Sequence, residues 1–449
     1  MSFFNKEIYF IGIGGIGMSA LARYFKQNGA RVSGFDRTET PLTTALQAEG
    51  IAVHYDENIA QIPTNPDWVI YTPAISNHSS SANQGKGQGS SLLRHCIDSN
   101  FEVIKRSEAL GIITQNRFTI AVAGSHGKTS VTSMIAHILH HSGYGCTAFV
   151  GGIMKNYNSN YLSSRSDVVV VEADEYDRSF LRLHPDIALI TAIDTDHLDI
   201  YQNIDFIKQA FAQFIALIKP QGALFISSQA EAMLQGQELA FGGQTAVLPV
   251  VELERFKRLP LFPKWQQWAL HNRQNALSAA SVARYLGVSL DAIVSALTCF
   301  EGIKRRFEYI IDSKKLIYID DYAHHPEEIR TVLGSLRNLY PNWHITAIFQ
   351  PHLYSRTQDL ADEFAQSLDL ADTVLLLDLY PAREEPIEGV SSKLIFDKMN
   401  NINKILCNKN TVLPTLATLP NIELVISIGA GDIDTLVQPI KEILEYEKA

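Results

Sequence analysis

The sequence predicts an α/β protein of three domains, in which N-terminal and C-terminal Rossmann-like domains flank a central domain with a mainly parallel sheet and a phosphate-binding loop. Short apolar runs alternate throughout with segments of helical period, which is typical of parallel sheets covered by helices. Two glycine-rich turns each lie between a predicted strand and a predicted helix. The length of 449 residues predicts two to four domains, at roughly 100 to 200 residues per domain.

The first block begins with the strand EIYFIGI (7–13), a glycine turn and the helix MSALARYFKQNG, followed by the strand RVSGFD. A third strand is predicted at DWVIYTPAI (67–75). The stretch SSSANQGKGQGSS (79–91) contains no apolar residue larger than Ala82. Ordering it would bury too little apolar surface to offset the lost chain entropy, so we expect a mobile insert there.

The turn after the first strand carries the spacing of a pyrophosphate-binding loop. Its sequence GIGGIGMS satisfies GxGxxG, and Asp36 follows about 20 residues later, where an acidic residue can bind a ribose. Glycines that merely let the helix pack closely are the alternative. The pattern leaves open which dinucleotide or nucleotide diphosphate would bind. The candidate residues are Gly12, Gly14, Gly15, Ile16, Gly17, Met18 and Asp36.

The second block opens at RFTIAVAG (117–124) and contains the strongest motif of the chain, AVAGSHGKTSVTSMIAHIL. Amides at a helix N-terminus bind phosphate oxygens, Lys128 can neutralise a phosphate, and the Thr129 hydroxyl can bind Mg²⁺. Val122 stands where the common loop has a further glycine, so the loop is a shorter variant. The alternative to a phosphate-binding loop is a glycine turn that carries a surface lysine. The predicted loop residues are Gly124, Ser125, His126, Gly127, Lys128, Thr129 and Ser130.

Metal ligands are expected where neighbouring strands end, because open α/β sheets bind ligands at their carboxyl edge. Glu172 ends the strand VVVVE, and His197 follows the run DIALITAID. Together with Thr129 these residues are candidates for holding Mg²⁺. His197 taken alone would more often be a core or surface histidine. Other acidic residues crowd the same region, including Asp174, Glu175, Asp177 and Asp194, and some of them must serve outside the metal site or be solvated.

The third block starts near Gly302 and shows four apolar runs, KLIYIDD, HITAIFQ, DTVLLLDLY and IELVISIG. Charged groups that follow these runs would gather at one sheet edge, which favours a site over a merely solvated rim. The candidates are Asp320, Asp321, His324, His325, His352, Tyr354, Arg356, Arg383, Glu384 and Glu385. His271 and Asn275 begin the helix HNRQNALSAASVARYLG (271–287) and suit an adenine edge, although asparagine there is often only a cap.

The composition excludes several other classes of protein. Hydrophobic residues make up 46% and charged residues 19%, and 38 Lys plus Arg against 48 Asp plus Glu give a net charge of −10. That charge disfavours binding to nucleic acid. No run of about 18 apolar residues occurs, glycines interrupt the apolar N-terminus, and the four cysteines form no CxxC pair. We therefore expect a cytoplasmic protein without a membrane partner, as a monomer or weak homodimer.

The motifs taken together resemble the Mur ligases of bacterial cell-wall synthesis, over nearly the whole chain. The matching segments are GIGGIGMSALAR, GSHGKTS, EADEYD, DTDHLDIY, HNRQNALSA, RRFE, DDYAHHPEE, QPHLYSRT and LDLYPAREEP. The resemblance implies an N-terminal domain for a UDP sugar (1–115), a central P-loop ATPase (116–302) and a C-terminal domain for the amino acid and ATP closure (303–449). It is closest to those members that join L-alanine to UDP-N-acetylmuramate.

The resemblance also implies the roles of individual residues. Lys128 and Thr129 would meet the phosphates of ATP and Mg²⁺, and Glu172 and His197 would bind the metal. His271 and Asn275 would meet adenine, Arg306 and Asp321 would complete the nucleotide site, and His325, His352 and Arg356 would face the amino acid. Leu353 departs from the pattern, since many relatives have an arginine there, and the insert at 79–91 lengthens a connection. Lys208 is the nearest candidate for the carbamylated lysine of some relatives.

Two other functions stay open at this point. A relative that recycles peptides would attach a tripeptide to the same UDP sugar. A sensor that binds a UDP sugar and ATP without turnover is the second alternative, although the set of Lys128, Thr129, Glu172 and His197 argues against it.

Overall fold

The computed structural model of the chain describes residues 3–72, 90–194, 203–248, 268–382 and 384–446. The chain forms two compact units, the first comprising residues 1–262 and 274–301 and the second residues 263–273 and 302–449. His197, Arg383 and residues 79–89 of the predicted insert lie outside the described residues.

The first unit begins with a five-stranded parallel sheet of order β3-β2-β1-β4-β5. The central strand β1 is flanked by β2 and β4, so the strand order reverses there and leaves a crevice at its carboxyl end. Its strands are β1 (Glu7–Ile11), β2 (Arg31–Phe35), β3 (Ala52–His54), β4 (Trp68–Tyr71) and β5 (Val103–Lys105). The helices of this part are α1 (Ile16–Gln27), α2 (Pro41–Ala48), α3 (Ser91–Asp98) and α4 (Arg106–Gln115).

The first unit also contains a seven-stranded sheet of order β12-β11-β10-β6-β9-β7-β8, parallel except for the edge strand β8. Its strands are β6 (Phe118–Ala123), β7 (Thr147–Met154), β8 (Ser159–Leu162), β9 (Val168–Glu172), β10 (Ile187–Ile190), β11 (Ala223–Ser227) and β12 (Gln244–Leu248). The helices are α5 (Lys128–His141), α6 (Ile204–Ala216), α7 (Ser228–Met233), α8 (Leu270–Tyr285), which begins in the second unit, and α9 (Leu290–Cys299).

The second unit is built on a six-stranded sheet of order β13-β14-β18-β15-β16-β17, in which only β13 is antiparallel. The strands are β13 (Glu308–Asp312), β14 (Ile317–Asp321), β15 (Ile345–Phe349), β16 (Thr373–Leu376), β17 (Lys404–Leu406) and β18 (Leu424–Ile428). The helices are α10 (Pro326–Leu339), α11 (Tyr354–Asp359), α12 (Ala361–Leu368), α13 (Ser392–Lys398), α14 (Val412–Ala417) and α15 (Val437–Tyr446).

Both faces of this last sheet are covered, as its continuous apolar runs predict. In β14, Ile317 and Ile319 join the buried cluster on one face, whereas Tyr318 joins the cluster on the other. Successive side chains of a strand point to opposite faces, so one apolar run supplies two cores.

The predicted fold class is confirmed, with three mainly parallel sheets covered by helices. The prediction of the third strand was wrong in detail, because Ala52–His54 forms the third strand and the strand within 67–75 covers Trp68–Tyr71. Ser90 and Ser91, at the end of the predicted insert, lie at the start of α3. Among the described residues, no helix combines the length and the apolar character needed to cross a bilayer. The domain boundaries at 115 and 302 stay predictions.

Candidate functional site

The loop between β6 and α5 requires glycine at two positions. Gly124 and Gly127 have φ of 130° and 81°. A Cβ on Gly124 would lie 2.1 Å from Thr191 Oγ1, and one on Gly127 would lie 2.8 Å from Asn275 Oδ1. Asn275 therefore lies against the loop, where it was predicted to meet a nucleotide.

The rest of this loop is held by the segment that follows β10. Ser125 Oγ accepts a hydrogen bond from the backbone amide of Asp194 (2.9 Å), and the Thr191 hydroxyl donates to the carbonyl of His126 (2.5 Å). Helix α5 then begins at Lys128. Because the first amides of a helix have no intrahelical partner, those of Lys128, Thr129 and Ser130 are suited to phosphate oxygens.

Lys128 forms a buried ion pair with Glu175. Its Nζ lies 2.7 and 2.8 Å from the two carboxylate oxygens and donates to the carbonyl of Gly124 at 2.8 Å. The two side chains are 16% and 4% exposed. The sequence did not single out Glu175 among the acidic residues of EADEYD, and the structure makes it the partner of the loop lysine.

Burial and charge act against each other in this pair. Burial alone would lower the pKa of Lys128, but the carboxylates of Glu175 and Asp174 outweigh it and the pKa is raised. Burial raises the pKa of Glu175, and Lys128 only partly offsets this. Lys128 is therefore charged in this pair, and burial disfavours the charged forms of both groups.

Thr129 and Glu172 converge beside the loop. The Thr129 hydroxyl donates to Glu172 Oε2 at 3.0 Å, and the amide of Gly151 in β7 donates to Glu172 Oε1. A Cβ on Gly151 would lie 2.6 Å from Glu172 Oε2, so this glycine lets the carboxylate approach the strand. A hydroxyl and a carboxylate are the oxygen donors that Mg²⁺ prefers. The third predicted ligand, His197, lies outside the described residues.

The first glycine loop is closed by Asp36 at the end of β2. The amide of Gly14 donates to Asp36 Oδ2 at 2.7 Å, and Gly12 has a φ of 86°. A Cβ on Gly14 would lie 2.8 Å from the same oxygen. Asp36 thus shapes the loop in addition to any contact with a ribose.

The start of α1 lies beside a cation that the sequence analysis missed. Gly15 precedes the helix, and Ile16, Gly17 and Met18 form its first turn. A Cβ on Gly17 would lie 2.8 Å from Nη1 of Arg106, whose Nη2 is 3.4 Å from Asp174 Oδ2. Arg106 follows β5 at the carboxyl edge of the first sheet, and this position was the available signal.

In the second unit, Asp321 is buried at the carboxyl end of β14. Its carboxylate accepts the backbone amides of Phe307 (2.6 Å) and Ala323 (2.8 Å). Burial raises its pKa to about 6, although Arg306 acts in the opposite direction. The Arg306 guanidinium lies over the Tyr322 ring, 5.2 Å from its centroid.

His271 belongs to the second unit. Its ring packs edge-on against Phe307, and Nδ1 lies 3.2 Å from Ser335 Oγ. Burial lowers the pKa of His271 to about 4, so the ring is neutral at neutral pH. Asn275 lies in the same helix but is counted with the first unit.

The predicted amino-acid residues lie around the ends of β14 and β15. The amide of His325 donates to Glu328 Oε2 (3.2 Å) at the start of α10. His352 stacks on Tyr380 with ring centroids 5.8 Å apart, and it also packs edge-on against His324 at 6.1 Å. The sequence analysis named His324 without assigning it a role.

Arg356 and Leu353 lie in the turn after β15. Leu353 has a φ of 72°, a sparsely populated conformation for a residue with a side chain. Within the described part of the chain, the buried Nη1 of Arg356 has no hydrogen-bond partner. A buried guanidinium nitrogen without a partner is costly, and a ligand carboxylate would satisfy it.

Three family models match the chain: the Mur ligase family catalytic domain over residues 7–117, the Mur ligase middle domain over 122–246 and the Mur ligase glutamate ligase domain over 305–433. The UDP-N-acetylmuramate–L-alanine ligase of Flavobacterium johnsoniae is 44% identical and covers 98% of each chain.

Two solved structures align over 98% of this chain and 99% of their own. The UDP-N-acetylmuramate–alanine ligase of Thermotoga maritima does so with a TM-score of 0.75 at 26% identity. A murein peptide ligase of Psychrobacter arcticus has a TM-score of 0.68 at 23% identity, which is a likeness of fold alone.

Proposed function

The chain belongs to the Mur ligase family, and from that premise we propose that it is an ATP-dependent ligase that joins L-alanine to the carboxylate of UDP-N-acetylmuramate in the synthesis of peptidoglycan precursors. Full-length identity of 44% to a ligase of that name supports the assignment. The observation that carries the chemistry is the convergence of Lys128, Thr129 and Glu172 at the start of α5. We place the reaction in the cytoplasm.

ATP would bind with its phosphates on the amides of Gly124 to Ser130 and with Asn275 beside the loop. Lys128 is already charged and needs only to exchange Glu175 for a phosphate oxygen. Thr129, Glu172 and His197 would hold Mg²⁺, whose positive charge would offset that of the phosphates. The second unit would supply His271 for adenine, with Arg306 and Asp321 completing the nucleotide site.

The reaction has two steps. The carboxylate of the UDP sugar attacks the γ-phosphorus of ATP, ADP leaves, and an acyl phosphate forms. The neutral amine of alanine then attacks the acyl carbon and loses a proton, and inorganic phosphate leaves to give the amide. Lys128 stabilises the charge that spreads over the transferring phosphoryl group in the first step.

The UDP sugar would bind at the crevice between β1 and β4. The uncapped N-terminus of α1 and the adjacent guanidinium of Arg106 suit a pyrophosphate. The residues proposed to line this site are Gly12, Gly14, Gly15, Ile16, Gly17, Met18 and Asp36. Arg106 adds a charge that the glycine motif lacks.

Alanine would be held by its carboxylate on Arg356, with His325 and His352 nearby. The partnerless Nη1 of Arg356 supports this role. With the amino acid fixed by its carboxylate, its amine can be directed at the acyl carbon.

Phosphate release tests the proposed function. The full chain is incubated with ATP, Mg²⁺ and UDP-N-acetylmuramate, and with L-alanine, glycine, L-serine or the cell-wall tripeptide in turn. We expect the fastest release with L-alanine, by a modest factor over glycine and L-serine, since one methyl group discriminates by about 1–3 kcal/mol. Turnover with the tripeptide alone would instead identify a recycling ligase, and no turnover with any acceptor would favour a sensor.

A further inference from the structure

Three metal-ligating side chains meet at the end of α5 opposite the phosphate loop. His137 and His141 are one helical turn apart in α5, and Cys299 ends α9, which packs against α5. Cys299 Sγ lies 3.5 Å from His137 Nε2 and 3.6 Å from His141 Nδ1. The proposed ligation uses none of these residues.

The spacing matches the ligand shell of a tetrahedral zinc ion. Zinc binds thiolate sulfur at about 2.3 Å and imidazole nitrogen at about 2.0–2.1 Å, which places the two ligand atoms about 3.5–3.6 Å apart at the tetrahedral angle. The three ligand atoms all lie within 4.8 Å of one another. The three ligand atoms are therefore close enough for one ion to bind them after small side-chain movements.

Both histidines carry the outer hydrogen bond that is typical of metal-bound imidazole. The far nitrogen of His137, Nδ1, lies 2.8 Å from Tyr157 Oη, and that of His141, Nε2, lies 3.1 Å from Ser295 Oγ. The other nitrogen of each ring, Nε2 of His137 and Nδ1 of His141, faces Cys299. Two hydroxyl groups on separate elements thus orient the two rings toward a common point.

Metal binding would change where the proton of the His137 ring lies. His137 Nε2 also lies 2.9 Å from the carbonyl of Ala296. Without metal, Nε2–H donates to this carbonyl; on binding, the proton moves to Nδ1 and is donated to Tyr157, and Cys299 releases its thiol proton.

We propose that His137, His141 and Cys299 bind one Zn²⁺ ion, with the fourth position open to water or to the carbonyl of Ala296. A thiolate with two imidazoles selects zinc over Mg²⁺, so this site does not compete for the metal of the ATP site. His141 and Cys299 are exposed, which gives the ion a path from solvent. The ion would fasten the end of α5 to α9, close to Glu301, the last residue of the first unit.

Co²⁺ is a spectroscopic probe for such a site. The full chain, stripped with a chelator, is titrated with Co²⁺ in the absence of ATP. We expect a thiolate-to-cobalt charge-transfer band and tetrahedral visible bands at one ion per chain, displaced by one equivalent of Zn²⁺. Cys299→Ser should abolish the charge-transfer band. Tyr157→Phe should weaken binding by about 10–100-fold, because it removes only the outer hydrogen bond.

His140→Gln is the matched control, because His140 is exposed on the same turn of α5 but is outside the cluster; its titration should match that of the wild type. Absence of the band, or a band that persists in Cys299→Ser, would overturn the proposal.

Alkylation of Cys299, followed by mass spectrometry, is a second measurement that needs no variant. Zn²⁺ should protect the thiol and Mg²⁺ should not, and equal labelling with both ions would contradict the site. None of these readouts depends on ligase activity.

Discussion

Lys128 shows at the scale of one residue how the phosphate-binding loop is arranged. Its ammonium group is buried against Glu175 and is positioned where a phosphate would arrive. The same side chain therefore pairs with Glu175 in the folded protein and is proposed to act on ATP. A single substitution of Lys128 thus changes both stability and activity.

Lys128→Ala should lower kcat by about 100- to 1000-fold or more, because a charge directed at the transferring phosphoryl group is lost. It should also lower the free energy of unfolding by about 3–5 kcal/mol, because Glu175 is left buried without its partner. Glu175→Gln added to Lys128→Ala should restore much of the stability and none of the activity. Phosphate release and chemical denaturation separate the two effects, and half of the wild-type activity in Lys128→Ala would refute the assignment.

Arg356→Ala should chiefly raise the KM for alanine or abolish turnover, and leave the KM values for ATP and the UDP sugar within a few-fold. The reason is that Leu353 supplies no second cation for the carboxylate. Arg330→Ala is the control, since the Arg330 side chain is 42% exposed and forms a surface ion pair with Glu327. Unchanged alanine kinetics in Arg356→Ala would move the role to His325 or Arg383.

His271 should make stability depend on pH. Its folded pKa of about 4 lies below the ordinary value of 6.5, so the unfolded chain binds more protons between these values. The stabilisation is present above pH 6.5 and is lost as the pH falls toward 4. The melting temperature of the wild type should therefore fall more steeply from pH 7 to pH 5 than that of His271→Gln. Parallel curves for the two proteins would contradict the burial of a neutral ring.

At the scale of elements, the predicted metal site depends on how closely the Glu172 side chain of one strand can approach the backbone of the neighbouring strand. The carboxylate of Glu172, at the end of β9, reaches Thr129 in α5 only because β7 has glycine at position 151. The predicted ligands Thr129 and Glu172 thus lie on α5 and β9, and the backbone of β7 controls the position of the Glu172 side chain.

Gly151→Ala should displace the Glu172 carboxylate, since the new Cβ would lie 2.6 Å from Oε2. We expect the Mg²⁺ concentration for half-maximal rate to rise by about 10–100-fold, as for other groups that orient metal ligands. Gly334→Ala in α10 is the control, because its Cβ would meet nothing within 4 Å. An unchanged Mg²⁺ requirement in Gly151→Ala would exclude Glu172 as a ligand.

At the scale of the molecule, buried polar contacts join helix α1 to the central sheet of the first unit. Asn160, fully buried in β8, accepts from Arg23 at 2.5 Å and donates to the carbonyl of Ile16 at 2.5 Å. Helix α1 packs on β7 and β8, so the proposed UDP-sugar loop rests on the ATP-binding sheet.

Asn160→Ala should destabilise the full chain by about 1–3 kcal/mol, because Arg23 and the Ile16 carbonyl each lose a buried hydrogen bond and keep only those to Glu49 and Ser19. The KM for the UDP sugar should rise more than that for ATP, since Ile16 belongs to the sugar loop. Denaturant unfolding and steady-state kinetics measure both effects. Gln235→Ala, an exposed amide of the same unit, should change neither; equal stability of Asn160→Ala and the wild type would show that the contact is dispensable.

The sequence by itself determined those features that are encoded in residues close together along the chain. The fold class, the glycine loops at 12–17 and 124–127, and the four main strands of the second unit follow from apolar periodicity and from glycine between strand and helix, which are local patterns. Strands β3, β5 and β17 are among those that escaped prediction, because three residues carry little periodicity.

Only the tertiary structure decided which side chains meet. Lys128 and Glu175 are 47 residues apart, and Arg106 approaches Gly17 from the start of another helix, α4. His137 and Cys299 are 162 residues apart. Such partners depend on the strand order and on how the helices pack. Strand order and helix packing arise from the burial of the apolar surface of the whole chain rather than from any local pattern. The sequence could therefore name the residues of the loops, whereas the ion pair of Lys128 and the cluster at Cys299 required the folded chain.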